Sequence, residues 1–194
     1  MSALPKQKWT PEEYFEFERT SETRHEYFQG EIYAMSGGSP KHSLIAGNAY
    51  ASLHGQLRKQ PCRVYQSDLR LSISAVGLYT YPDIMVICGE LEYAFTRRDT
   101  VTNPVLIVEV LSPSTESYDR GRKFQYYRTL DSLQEYIVIS QDAAHIERFT
   151  RQPDGDWLLH AADGLGDSLE LLSVGCTFAL SDVYDKVDFE SEPE

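Results

Sequence analysis

Two carboxylates stand in apolar, strand-like segments of this chain. One is Asp83, in Tyr81-Pro82-Asp83-Ile84-Met85-Val86-Ile87, and the other is Glu109, in Val105-Leu106-Ile107-Val108-Glu109-Val110-Leu111. A buried carboxylate without a partner loses much of its solvation energy, so something must compensate both. Oxygen ligands projected at a matching level from neighbouring strands suit Mg²⁺ or Mn²⁺. A cation follows at Lys123, in Tyr118-Asp119-Arg120-Gly121-Arg122-Lys123-Phe124. A lysine there can stabilise an attacking hydroxide or the charge that grows on a phosphate in the transition state. The set reads as a metal-dependent hydrolase site.

The elements that carry these residues follow from periodicity. Strand alternation over 105–111 puts Leu106, Val108 and Val110 on one face and Val105, Ile107, Glu109 and Leu111 on the other. Both faces are apolar, which marks a central strand covered on both sides, with Glu109 its only charge. The bland alternative for Glu109 is an ion pair with a neighbouring arginine. Asp83 follows Pro82 at a strand entry, where an aspartate can also serve only as a turn or cap residue. Helical spacing puts Lys123, Tyr127 and Leu130 on one face, the face that packs on the sheet. There the alternative is a buried stem with its ammonium snorkelling to the sheet edge.

Along the chain, Thr10-Pro11-Glu12-Glu13 starts a helix with a capping box, running to about Arg19. Residues 25–35 read as a hairpin turning near Gln29-Gly30, and Ser36-Gly37-Gly38-Ser39-Pro40 as a loop. Leu44, Ile45, Ala49, Leu53 and Leu57 predict a helix from His42 to about Lys59. Strands are expected at 62–66, 69–74, 81–88 and 105–111, a second helix at 118–130, and a strand at 135–140. Short strands fill 146–159 and 169–178, with a turn at Asp154-Gly155. This order gives a mixed α/β domain over 1–181, followed by an acidic tail, 182–194, expected to be frayed.

Bulk properties exclude less than they allow. The 194 residues, 41% hydrophobic and 25% charged, describe an ordinary globular chain. No apolar run approaches a membrane span, and residues 1–10 lack the apolar core of a signal peptide. Cys62, Cys88 and Cys176 are odd in number, widely separated and form no Cys-x-x-Cys pair. They indicate neither a disulfide framework nor a zinc site, so a cytoplasmic protein is expected. The net charge of -12 argues against a polyanionic partner. The tail contributes much of it, and 119–128 carries four basic residues against one acid, so nucleic acid is not excluded.

Several blocks of the sequence resemble the PD-(D/E)XK nuclease superfamily, and within it the bacterial family described as putative restriction endonucleases. They are Gly30-Glu31-Ile32, Ser67-Asp68-Leu69-Arg70, Tyr81-Pro82-Asp83, the run from Asn103-Pro104 through Glu109 to Ser112-Pro113-Ser114-Thr115, and Asp119-Arg120-Gly121-Arg122-Lys123. The resemblance implies a restriction-endonuclease-like α-β-β-β-α-β core, a mixed sheet flanked by helices. An additional N-terminal helix and hairpin and a β-rich C-terminal region would surround it. It maps the metal-binding aspartate onto Asp83 and the acid of the (D/E)-x-K element onto Glu109. One departure stands out: Leu111, not lysine, lies two positions after Glu109, and Lys123 takes the lysine's place from the following helix. A further N-terminal acid would be Glu31, with Glu26 and His42 as substitutes.

The expected function is therefore metal-dependent endonucleolytic hydrolysis of phosphodiester bonds, in DNA rather than RNA. Mg²⁺ or Mn²⁺ would be held by Asp83, Glu109 and Glu31, with Lys123 orienting water or stabilising charge. Tyr127 and His42 would support the site, while Arg70, Arg120, Arg122 and Lys41 could contact phosphates. A homodimer is expected, as for many nuclease folds of this size. Two rivals stand beside this reading. One is a catalytically silent nuclease fold that binds nucleic acid or protein. The other is a glycosidase using Asp83 and Glu109 as acid and base, which Lys123 and the lack of aromatic sugar platforms count against.

Overall fold

The computed structural model describes residues 8–35, 37–95 and 98–189. Helix α1 (Pro11–Thr20) begins at the expected capping box: the Glu13 N–H donates to the Thr10 hydroxyl (3.2 Å), and the Thr10 N–H to the Glu13 carboxylate (2.8 Å). Strands β1 (His25–Phe28) and β2 (Glu31–Ala34) form the hairpin, which turns through Gln29 (φ 48°) and Gly30 (φ 93°). A left-handed backbone of this kind is what glycine tolerates without cost. Helix α2 (Pro40–Leu57) is capped by Ser39, and its buried stripe is Ile45, Ala49, Leu53 and Leu57. Ser36, part of the loop expected before it, lies outside the described residues.

Next come β3 (Cys62–Gln66), β4 (Arg70–Ile73), β5 (Leu78–Thr80), β6 (Ile84–Cys88), β7 (Thr100–Val101) and β8 (Leu106–Val110). A continuous helical segment then comprises α3 (Glu116–Tyr118), a π turn (Asp119–Lys123) and α4 (Phe124–Tyr127). Last are β9 (Glu135–Ile139), β10 (His145–Arg151), β11 (Trp157–Asp163), β12 (Ser168–Leu171), β13 (Cys176–Ala179) and α5 (Leu180–Val183).

The central sheet has the order β11-β10-β9-β8-β6-β3. Within it β8 and β9 are parallel, and the helical segment makes the crossover that parallel neighbours require. Helix α2, strands β3, β6 and β8, the crossover helix and β9 supply the α-β-β-β-α-β core. One face of β8 (Leu106, Val108, Val110) packs with α2, α5 and the β12–β13 hairpin. The other (Ile107, Leu111) packs with Leu71, Ile73, Leu78, Tyr127 and Leu130. The two-sided burial expected of this strand is thus observed. A second sheet, β2-β1-β5-β4-β7, covers that second face and carries α1 on a cluster of Tyr14, Phe15, Tyr27 and Tyr79.

Three expectations are corrected. The strand expected at 69–74 belongs to the second sheet, where it pairs with β5 and β7, strands too short to show an alternation in sequence. The tail does not fray at Asp182: Val183 and Tyr184 are buried in the core, with Val187 and Phe189 packed against it. Charge counting hid these apolar residues among the acids; the tail's last five, 190–194, lie outside the described residues. Finally, Cys62 and Cys88 are joined as a disulfide. Far apart in sequence, they are register partners across β3 and β6. Reduced cysteines therefore no longer argue for the cytoplasm. Among the described residues no helix is long and apolar enough to cross a membrane.

Candidate active site

The carboxylates meet because of strand register. Antiparallel β6 and β8 pair Ile84 with Val108, Met85 with Ile107 and Val86 with Leu106. One step further along the same register, Asp83 falls opposite Glu109. Alternation turns both toward the face that carries the crossover helix. Each carboxylate is anchored through a single oxygen. Asp83 Oδ2 accepts from the Val110 N–H at 2.8 Å and lies 3.2 Å from His42 Nε2. Glu109 Oε1 accepts from the Tyr127 hydroxyl at 2.6 Å and lies 2.9 Å from Lys123 Nζ.

Lys123 is buried and ringed by acids. Besides Glu109, Asp119 Oδ1 lies at 3.3 Å and Glu26 Oε1 at 3.9 Å. The π turn carries Asp119 and Lys123 on one side, and such turns recur at functional sites. Helix α2 approaches from the other face of the sheet, and its first turn delivers His42, whose N–H donates to Ser39. Ser39 in turn donates to Gln141, which donates to the Leu111 carbonyl at the end of β8. Asp83, Glu109, Asp119, Lys123, His42 and Gln141 line an open cleft of about 890 Å³. Its wall includes Arg24 and Asp68 at 3.0 Å, and the mutually bonded hydroxyls of Ser112, Ser114 and Thr115.

Electrostatics follow from crowding in a dry place. Burial, with Asp83 and Asp119 nearby, raises the Glu109 carboxyl to about 8, although Lys123 and the Tyr127 hydroxyl pull the other way. Burial works against the charge on Lys123, but Glu109, Tyr127, Glu26 and Asp119 outweigh it and hold the ammonium well above its ordinary range. The lysine stays charged, and burial among acids works against a negative charge on the glutamate. The Asp83 hydrogen bond raises His42 despite burial.

Not every sequence candidate reaches the cleft. Glu31 lies on the edge strand β2, does not line the cleft, and accepts from Tyr33 at 2.6 Å. Glu26, on the inner strand β1, does not line the cleft either, but lies 3.9 Å from Lys123 Nζ and accepts from Thr80. Arg70 is buried behind the site: its Nε donates to Tyr81 (2.9 Å), and its guanidinium lies over the rings of Tyr14 and Phe15. A phosphate contact there is ruled out by burial. Arg120 points away to Glu116 (2.8 Å) and Glu147, and neither Lys41 nor Arg122 lines the cleft. Sequence reasoning gave Asp119 and Gln141 no role. The spacing of Asp119 four residues before Lys123 was a readable signal; Gln141, brought in by a loop after β9, left none.

A divalent cation fits this donor set in a limited way. Among the described residues no group of three His, Cys, Asp or Glu side chains is arranged to hold a metal. Asp83 and Glu109, however, each commit one oxygen to the protein, and the buried Asp119 Oδ1 has no hydrogen-bond partner. That is an excess of carboxylate over cation facing a cleft. Mg²⁺ commonly binds through one or two carboxylates and otherwise keeps water or phosphate oxygens.

Comparison with known proteins agrees with this architecture. The family model described as "Putative restriction endonuclease" (Uma2) matches residues 11–181. Two uncharacterised Synechocystis proteins are similar along most of their length. One is 40% identical over 182 residues, 94% of each chain, and the other 35% over 162 residues, 84% of this chain and 90% of the relative. A crystal structure described as a putative nuclease belonging to DUF820, from Anabaena variabilis, superposes with a TM-score of 0.70. It covers 84% of this chain and 91% of that one at 16% identity, a likeness of fold.

Proposed function

This chain belongs to the family described as "Putative restriction endonuclease", and from that premise we propose that it is a Mg²⁺- or Mn²⁺-dependent endonuclease hydrolysing phosphodiester bonds, in DNA rather than RNA. The observation that carries this reading is the pairing of Asp83 with Glu109 across β6 and β8, each tied through one oxygen, with Lys123 on the glutamate. A divalent cation held by these two carboxylates would acidify a bound water and neutralise the scissile phosphate.

The chain's own residues do the rest. Tyr127 fixes the Glu109 carboxylate in orientation, and His42 with the Val110 N–H does so for Asp83. Lys123 keeps its proton and sits where charge on an attacking oxygen or a phosphate would build. Asp119 and Glu26 hold the ammonium in place. Gln141 ties the end of β8 to the cap of α2, so the carboxylates and His42 keep their spacing. Two copies acting together would cut both strands of a duplex.

A second reading, a nuclease fold that binds without cutting, is favoured by one observation. Acids in the cleft wall (Asp68, Asp83, Glu109, Asp119) outnumber the bases Arg24 and Lys123, in a chain of net charge -12. Incubating supercoiled plasmid, single-stranded DNA and RNA with purified protein separates the two. Nicking with Mn²⁺ or Mg²⁺, absent in EDTA and in Glu109→Ala, supports the nuclease. Retention of nucleic acid without cleavage under any metal supports the binding module.

A further inference from the structure

The central sheet ends in an edge strand built for pairing. Strand β11 (Trp157–Asp163) pairs on one side with β10, and no strand of the described residues pairs on the other. Natural edges are commonly guarded by charge. The opposite edge of this sheet, β3, carries Arg63, exposed, but β11 has no charged residue from Trp157 to Ala162. Leu158 and Leu159 are 58% and 51% exposed, and Leu165 and Leu172 nearby are 52% and 59% exposed. Half of the large apolar side chains exposed among the described residues gather at this end.

The backbone directions can be read from the ladder. The Gln152 N–H donates to the Asp156 carbonyl and the Gly164 N–H to the Ala144 carbonyl, both at 2.8 Å. In a register pairing Arg148 with His160, the even-numbered residues of β11 then bond to β10, while Trp157, Leu159, Ala161 and Asp163 turn their backbone groups outward. The Asp163 N–H already donates to Asp167 (3.2 Å). Leu159 and Ala161 are left with outward amides and carbonyls in the middle of the strand.

We propose that β11 pairs antiparallel with β11 of a second copy, about a twofold axis through His160. In that register Leu159 and Ala161 exchange backbone hydrogen bonds with Ala161 and Leu159 of the other copy. Leu158 falls opposite Ala162 and Leu159 opposite Ala161, so each large side chain meets a small one and the two six-stranded sheets become one. No like charges are opposed. An isologous contact of this kind closes on itself and leaves only the charge-guarded β3 edges at the two ends.

The experiment is the mass of the full chain in solution by light scattering, for the native sequence and for Ala161→Pro and His160→Cys. Proline at 161 removes an N–H that points away from β10, so the fold is kept while the pairing is lost. The native chain is expected at twice its 22.1 kDa and Ala161→Pro at 22.1 kDa with an unchanged circular dichroism spectrum. Under oxidant, His160→Cys should form a covalent dimer that the native chain does not, because the pair on the axis is a close, non-hydrogen-bonded one. A monomeric native chain overturns the proposal. So does a dimer that persists in Ala161→Pro, or a failure of His160→Cys to cross-link, which also decides the matter if the proline variant does not fold. Since mass and cross-linking are the readouts, failure of the nuclease reading leaves this result untouched.

Discussion

Glu109 and Glu135 occupy neighbouring parallel strands at opposite ends of the central sheet, one near the end of β8 and the other at the start of β9. Both are buried, at 3% and 0% exposure. Their surroundings differ. Glu135 accepts from the Leu172 N–H (3.0 Å), the Ser173 N–H (2.9 Å), the Ser173 hydroxyl (2.6 Å) and the Thr150 hydroxyl (3.3 Å), with Arg148 Nε at 3.7 Å. It is a socket that fastens the turn after β12 to the sheet. Glu109 has one cation and one hydroxyl, other acids close by, and a cleft in front of it. A buried carboxylate surrounded by fixed donors is finished; one crowded by acids beside open space still lacks a counter-charge. Burial alone does not distinguish structure from function, but the sign of the neighbours does.

Substitution should separate the two sites. Glu109→Gln is expected to reduce metal-dependent nicking by roughly a hundred- to a thousandfold, the scale of losing a charge-stabilising group. Its melting temperature should not fall. Activity that survived would place Glu109 beside Glu135 as a structural acid. Lys123→Ala should lose cleavage on a similar scale, roughly a hundredfold, while metal binding, followed by calorimetry, is retained. Unchanged cleavage would remove the lysine from the site.

Glu135→Ala strands four donors and should cost about 3 kcal/mol, or about 6–12 °C in melting temperature. Cleavage per folded molecule should stay the same. A variant that melted normally would show that the socket is dispensable.

The pH dependence sharpens the contrast. The Glu109 carboxyl, at about 8, lies above its ordinary value of 4.5. Folded protein therefore keeps a proton that the unfolded chain releases between those values. The resulting stability is complete below the lower value and is lost as pH rises through the upper one. In EDTA, Glu109→Gln should thus gain on the native chain by several degrees as pH rises from about 4.5 to about 8, and no further above that. Added Mg²⁺ should narrow the gap by binding the folded native chain. A gap constant with pH would mean that Glu109 is ionised throughout. The smallest effect is expected for His42→Asn, a loss of roughly tenfold or less in cleavage, since the Val110 N–H still anchors Asp83.

Much of this was legible in the residues. The capping box at Thr10 and Glu13, the Gln29-Gly30 turn and the two apolar faces of 105–111 are local patterns, and local patterns survive folding because propensity and burial agree there. Lys123 and Tyr127 were placed together by helical spacing. Glu31 was expected in the site but lies on an edge strand outside the cleft, and Arg70 was expected to reach phosphate but is buried, because sequence says which residues are charged but not which strand lies inside a sheet. The disulfide, the buried residues after Asp182 and the roles of Asp119 and Gln141 were missed for the same reason. Each depends on partners far along the chain.

The sequence by itself determined the element types, the apolar faces and three chemically unusual side chains, since these follow from periods of two and 3.6 residues and from the cost of burying charge. Only the tertiary structure decided that antiparallel register sets Asp83 opposite Glu109, that Glu26 lies beside Lys123, and that Asp119 does too. Register and long-range packing are set by the whole core at once, and a one-residue slip of a strand would turn its carboxylate to the other face of the sheet.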